Sequence, residues 1–157
     1  MRYAGLVLND ITAAPGLSVT FYTQGCPHRC SRCHNPHTWD FNGGKEYTDD
    51  ILDTILKNLN DRNIKRNFCL MGGEPLCPDN SFLSYMLIKT IKDKSPDTKI
   101  YVWTGYTYDQ LINMNNTRIN NILELVDVLI DGPYIDELRD VTLHMRGSSN
   151  QNILYLH

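Results

Sequence analysis

An α/β fold is what this 157-residue chain predicts: a mostly parallel sheet curved into an open or partial (βα) barrel. Three observations carry that expectation. Short runs rich in β-branched and aromatic residues alternate with segments whose apolar residues recur at helical spacing, which is the pattern of βαβ units. Each apolar run ends in a glycine or polar loop, where ligands bind in such folds. The length is well below the ~250 residues of a complete eight-unit barrel and fits one domain over residues 1–157 with one core.

The elements follow in order. Residues 17–23 (Leu-Ser-Val-Thr-Phe-Tyr-Thr) read as a strand stopping at Gly25. A cysteine-rich loop comes directly after it. From Asp49 to Asn60, Ile51, Leu52, Ile55, Leu56 and Leu59 fall on one helical face. Thr48 is placed to cap that helix, and Asp49 and Asp50 suit its dipole. Residues 67–71 form a short strand before Gly72-Gly73. Ser81 to Lys94 is helical through Leu83, Leu87, Ile88 and Ile91, and Pro96 bounds it. Residues 99–103 make a strand that exits at Thr104-Gly105. Residues 108–125 are helical with an asparagine-rich break at 113–116, and residues 126–130 are a strand ending at Asp131-Gly132-Pro133. Beyond Pro133 the periodic signal fades.

Composition excludes several functions. Hydrophobic residues make up 41% and charged residues 21%, ordinary for a globular domain. A net charge of −3 supplies no basic field for nucleic acid. No apolar run approaches the ~20 residues of a membrane span, and the N-terminus lacks the pattern of a signal peptide. A cytoplasmic protein with reduced thiols is expected.

Chemistry concentrates in Cys26, Cys30 and Cys33, spaced C-x3-C-x2-C with no fourth cysteine nearby. Three thiolates can hold three corners of a cubic [4Fe–4S] cluster. A fourth would complete it as an electron carrier; three leave one iron open to a substrate, as an open metal position is catalytic and a closed one structural. The competing reading is a zinc-binding interaction module with His34 or His28 as fourth ligand. Zinc sites usually carry a second spaced pair, and Cys69 and Cys77 do not form one. A disulfide framework needs an oxidising compartment, and five cysteines is an odd count. Cys69 sits in a strand pattern as a small buried hydrophobe, and Cys77 lies in a loop.

Gly72-Gly73-Glu74-Pro75 follows the next strand. Glycines let backbone approach a ligand closely, and Glu74 adds an acceptor; a plain turn explains the same residues. With the cysteine spacing, this string resembles the radical S-adenosylmethionine (radical SAM) enzymes. The resemblance implies that the open iron chelates the amino and carboxylate groups of S-adenosylmethionine and that an electron then cleaves its sulfonium, releasing a 5′-deoxyadenosyl radical. It implies that Cys26, Cys30 and Cys33 are the catalytic metal ligands. It also gives Gly72, Gly73 and Glu74 the role of binding the methionyl ammonium. The residue before the third cysteine is often aromatic in that family and packs near the adenine. Here it is Arg32, whose guanidinium can also stack on a base. His34 is the other adenine-side candidate.

Three further strings narrow the resemblance: Trp103-Thr104-Gly105-Tyr106, Asp131-Gly132-Pro133 and Arg146-Gly147-Ser148-Ser149-Asn150-Gln151. In this order they look like the activating proteins of anaerobic (class III) ribonucleoside-triphosphate reductases, over nearly the whole chain. That implies a glycyl radical made on the large reductase subunit, with the electron supplied by an external donor such as a flavodoxin-type protein. Thr104 and Asp131 are candidates for polar contacts to the methionyl group or a neighbouring cation; strand-end capping is the alternative for each. Arg146 with Ser148, Ser149 and Asn150 is a candidate guide for the partner, or a plain turn. An activase of another glycyl-radical enzyme, of formate-lyase type, is the nearest enzymatic alternative.

Overall fold

The computed structural model describes residues 1–157. Its strands are β1 (Arg2–Asp10), β2 (Ser18–Thr23), β3 (Lys45–Glu46), β4 (Asn67–Gly72), β5 (Ile100–Trp103), β6 (Val128–Asp131) and β7 (Asn152–Tyr155). The helices are α1 (Asp49–Leu59), α2 (Pro78–Lys94), α3 (Tyr108–Asn113) and α4 (Thr117–Leu125). All seven strands form one open sheet in the order β3-β1-β2-β4-β5-β6-β7.

The centre of that sheet is parallel, as the alternation predicts: β2 pairs with β4, β4 with β5 and β5 with β6. The edges are not. β1 runs antiparallel to β2 and to β3, and β7 runs antiparallel to β6. The sheet is therefore mixed, with a parallel core carrying the helices and antiparallel strands closing each side.

Period-two alternation decides which side chain faces which layer. Phe68 and Leu70 of β4, Ile100 and Val102 of β5 and Leu129 of β6 point into the larger core. There they meet Ile55 and Leu59 of α1, Leu83, Leu87, Ile88 and Ile91 of α2, and Ile119 and Ile122 of α4. The intervening Cys69, Tyr101, Val128 and Ile130 face the opposite side, where Met71, Trp103, Met145 and Ile153 join them. The central strands are thus apolar on both faces, as parallel strands between two layers are. Each fully buried Leu, Ile or Phe contributes about 1.5–3 kcal/mol of transfer free energy, so the strand order is held chiefly by this core.

Local details refine the expected elements. Thr48 occupies the N-cap position of α1, but its side chain makes no capping hydrogen bond. Helix α2 starts three residues earlier than its apolar spacing predicts, because Pro78 takes a first-turn position that needs no N–H donor. The asparagine-rich break does separate two helices: Thr107 and Gln110 form a capping box on α3, and the Asn116 side chain accepts from Ile119 N at the start of α4. β6 begins at Val128, two residues later than expected, and the preceding Asp127 bonds to both sides, its N donating to Ile100 O at 3.0 Å and its O accepting from Leu156 N at 2.8 Å. Its Oδ2 accepts from Ile100 N and Lys92 Nζ, both at 2.8 Å.

Candidate active site

The C-terminal ends of β2, β4, β5 and β6 surround one cavity of about 230 Å³. Cys26, Cys30, Cys33 and His34 form one part of its wall, Gly72 and Gly73 another, Thr104, Gly105 and Gly132 a third. Trp39, Met71, Trp103, Tyr134 and Met145 complete it with apolar and aromatic surface. Four separate stretches of sequence are brought to one place because parallel strands all deliver their exits to the same edge.

The base of the cysteine loop is fastened by backbone. Gly25 N donates to Thr38 O at 2.6 Å and Cys26 N to Trp39 O at 3.2 Å. The buried Gln24 side chain ties the returning limb, donating to His37 O at 3.0 Å and Asp40 O at 2.7 Å. Gly73 N donates to Thr23 O at 3.0 Å and Glu74 N to Gly25 O at 2.8 Å. A Cβ on Gly73 would lie 2.4 Å from Gly25 O, so only glycine permits this approach of the two loops.

Between its first and third cysteines the loop turns sharply. Arg29 and Arg32 both take left-handed backbone, with φ of 50° and 57°, which costs non-glycine residues energy and is sustained only by surrounding structure. All five cysteines are free thiols. Cys26, Cys30 and Cys33 are partly exposed, whereas Cys69 and Cys77 are buried. Burial raises the Cys26 thiol above its ordinary value, with the His28 and Arg29 backbone amides pulling the other way. Cys26, Cys30 and Cys33 share one cavity wall with no fourth cysteine beside them, a set of three soft donors of the kind that suits iron–sulfur ligation.

Glu74 lies beneath the cavity rather than on its wall. It is fully buried, and its carboxylate accepts from His28 Nε2 at 2.7 Å, Gly105 N at 2.6 Å and Leu76 N at 2.9 Å. The Thr104 hydroxyl donates to it too, 2.9 Å from each oxygen. Gly72 and Gly73 face the cavity, while Glu74 binds the strand ends together underneath. Thr104 lines the cavity with its hydroxyl already directed at Glu74. Asp131 is buried at the end of β6. Its Oδ2 accepts from Tyr108 N at 2.8 Å, capping α3, and its Oδ1 has no partner.

Arg32 stands outside the cavity. Its side chain is 80% exposed, 3.6 Å from Asp136. His34 and Tyr134 stand on the cavity wall, their ring centroids 5.1 Å apart and their planes tilted by 58°. Lost solvation and a hydrogen bond to Asp136 raise the Tyr134 phenol. Tyr134 and Trp39 carried no motif signal, since a lone aromatic residue in a loop reads equally as surface or core.

The C-terminal string fastens onto the strand exit before it. Gln151 Oε1 accepts from Gly147 N and Ser148 N, and its Nε2 donates to Gly132 O. Asn150 Nδ2 donates to Pro133 O, and Ser148 Oγ accepts from Ile135 N. Arg146 is half-buried, reaching His144 O and Gln151 O, both at 3.3 Å. Trp103 Nε1 donates to Met145 O at 2.8 Å and pins this segment over the sheet.

Comparison with known proteins gives this site a family. A family model described as "4Fe-4S single cluster domain" matches residues 13–154. The anaerobic ribonucleoside-triphosphate reductase-activating protein of Escherichia coli K12 is 39% identical over 157 residues, 99% of each chain. Its namesake in Vibrio cholerae is 38% identical over 98% of this chain and 97% of its own. That of enterobacteria phage T4 is 31% identical over 98% of this chain and 93% of its own. Identity at this level along the full length, together with the matching cluster domain, settles membership: the chain belongs to the family of anaerobic ribonucleoside-triphosphate reductase-activating proteins.

Proposed function

We propose that the whole chain, residues 1–157, is a single domain of radical SAM type that uses a [4Fe–4S] cluster and S-adenosylmethionine to make a glycyl radical on an anaerobic ribonucleoside-triphosphate reductase. The observation that carries this reading is one cavity lined by the three cysteines on one side and Gly72-Gly73 on the other, in a chain related end to end to activating proteins. When bound, the cluster supplies one electron, taken from an external donor such as a flavodoxin-type protein, that splits S-adenosylmethionine into methionine and a 5′-deoxyadenosyl radical able to take a glycine Cα hydrogen.

The chain's own residues prepare that chemistry. Cys26, Cys30 and Cys33 would hold three irons of the cluster as thiolates, the soft ligands iron–sulfur chemistry needs. The backbone of Gly72 and Gly73 receives the methionyl group at close range, braced by Glu74 and Thr104 below. The unpaired Oδ1 of Asp131 is an acceptor for a cationic group at the end of β6. The ring of His34 or of Tyr134 offers a face for the adenine. Trp39, Met71, Trp103 and Met145 exclude water from a reactive radical.

No helix is long and apolar enough to cross a membrane, and free thiols throughout suit the cytoplasm. The test is anaerobic reconstitution with iron and sulfide. Cys26→Ser, Cys30→Ser and Cys33→Ser should each lose the brown cluster and S-adenosylmethionine cleavage, while Cys69→Ser and Cys77→Ser keep both. Loss in Cys77→Ser with retention in Cys30→Ser would overturn the assignment.

A further inference from the structure

The arc of the cysteine loop between Cys26 and Cys30 is held to the sheet by one side chain. Residues 27–32 make a single hydrogen bond to the strand ends, from His28 Nε2 to Glu74 Oε1 at 2.7 Å. The acceptor is a carboxylate, so Nε2 carries the proton. The same ring packs edge-on against Tyr106, with centroids 4.5 Å apart at 75°. It also presses on Gly105 so closely that a Cβ there would lie 2.5 Å from His28 Cδ2. Glycine at 105 is thus the residue that makes room for the histidine, and Gly105 N completes the exchange by donating to the same carboxylate oxygen.

Glu74 is fully buried, and its other donors all come from its own turn or the β5 exit: Leu76 N, Thr104 Oγ1 and Gly105 N. His28 is the one donor that reaches it from the cysteine loop. Only 18% of the His28 side chain is exposed, so the bond is sheltered from water. A buried carboxylate deprived of one donor is costly, which makes the contact stronger than a surface pair of equal length.

We propose that His28 is a positioning residue: through Glu74 it clamps the Cys26–Cys30 arc onto the ends of β4 and β5, so that the three-cysteine site stands preformed before iron arrives. This rests on the reading of the loop as a cluster site. The clamp acts in the apoprotein, where it holds left-handed turns at Arg29 and Arg32 that a free loop would relax. Ligands held in place by a supporting hydrogen bond lose their metal more slowly. Glu74 accordingly serves the site from below, leaving the cavity wall to the glycine backbone.

Amide hydrogen exchange of the apoprotein tests the clamp without any cluster. His28→Phe keeps a ring against Tyr106 and removes the donor. Exchange across residues 26–34 should accelerate roughly ten- to a hundred-fold, the scale of one charge-assisted hydrogen bond, while β4 and β5 amides stay as in the parent. His28→Gln, whose amide nitrogen can stand where Nε2 stands, should restore most of the protection. In reconstituted protein, iron loss to a chelator should follow the same order: Phe fastest, then Gln, then parent. Should His28→Phe fail to fold, exchange is read on His28→Phe with Glu74→Gln, which removes the stranded charge. Unchanged loop exchange in the Phe variant, or no rescue by Gln, overturns the clamp. A parent protein that takes up no iron, with loop exchange still accelerated in the variant, sinks the cluster reading and leaves the clamp standing.

Discussion

Trp103, Thr104, Gly105 and Tyr106 each have a separate task, and together they join the motifs of the site. The Trp103 indole fixes Met145, the Thr104 hydroxyl and Gly105 amide bind Glu74, and Tyr106 supports the His28 ring while its carbonyl accepts from Gly132 N at 2.8 Å. The five cysteines divide as sharply. Burial pushes the Cys69 thiol up to about 11 and the Cys77 thiol up to about 12, whereas Cys26, Cys30 and Cys33 are partly open to the cavity. Brief alkylation of the native apoprotein at pH 8 should therefore label Cys30 and Cys33 first and Cys26, its thiol raised by burial, more slowly, and alkylation after unfolding should label all five. Mass spectrometry of the intact chain checks this, and adducts on Cys69 or Cys77 before unfolding would contradict the buried placement. Spacing singled out Cys26, Cys30 and Cys33, and these are the three cysteines that are partly exposed. It could not place Arg32 or Glu74, because a motif says which residues come together and not which way a side chain turns. Arg32 follows a left-handed backbone out to solvent, and Glu74 turns under its own loop.

At the scale of elements, what was legible is the part buried on both faces. β4, β5 and β6 are near-continuous apolar runs, β2 alternates hydroxyl residues with the core residues Val19 and Phe21, and α1, α2 and α4 carry helically spaced apolar residues that pack into the same core. The edge strands left no such trace. β1 is irregular in register twice, between Tyr3 and Gly5 and between Val7 and Asp10, so its side chains never settle into clean alternation. β3 has two residues, both exposed, and β7 is four residues long, half-buried at most. Covering of an edge by these strands depends on partners distant in sequence. Two tyrosines record how tightly the added pieces pack. Tyr47, just past β3, lies edge-on to Phe21, and Tyr106 leads into α3. Burial pushes both phenols up to about 12 from 10.0, with nearby carboxylates adding to the rise. A folded-state value above the unfolded one means that the folded chain holds the proton more tightly. The stability these residues supply is complete below pH 10 and is lost as pH rises through 10 towards 12. Urea midpoints measured from pH 9 to 12 should fall across that window, with a shallower fall in Tyr47→Phe. A midpoint flat across it would show that the two phenols are not buried as described.

On the scale of the whole molecule, the site is a cavity at the edge of an open sheet, and about 230 Å³ is less than the ~300–1,000 Å³ of pockets that enclose a ligand by themselves. The apolar wall of Trp39, Met71, Trp103 and Met145 shields one side. The proposed hydrogen abstraction needs reacting atoms about 3–3.5 Å apart, so under that reading a reductase glycine enters the cavity mouth, at the strand ends, and its loop supplies the rest of the wall. Arg146 sits between Met145 and Gly147, which both line the wall, and its guanidinium meets only carbonyls of its own segment at 3.3 Å. Those long contacts can be exchanged for a partner's carbonyl or carboxylate at little cost. Arg146→Ala should then lower the glycyl radical yield on the reductase about tenfold, the worth of one charge-assisted contact near the low end of its range. Uncoupled S-adenosylmethionine cleavage should change far less. Electron paramagnetic resonance of the mixed, reduced proteins reads the radical as a doublet on the reductase, and quantified 5′-deoxyadenosine reads the cleavage. Equal losses in both would place Arg146 in the cofactor site instead of at the partner's door. A radical that forms only on a different glycyl-radical enzyme would transfer the activity to that partner and leave the cavity's chemistry as described.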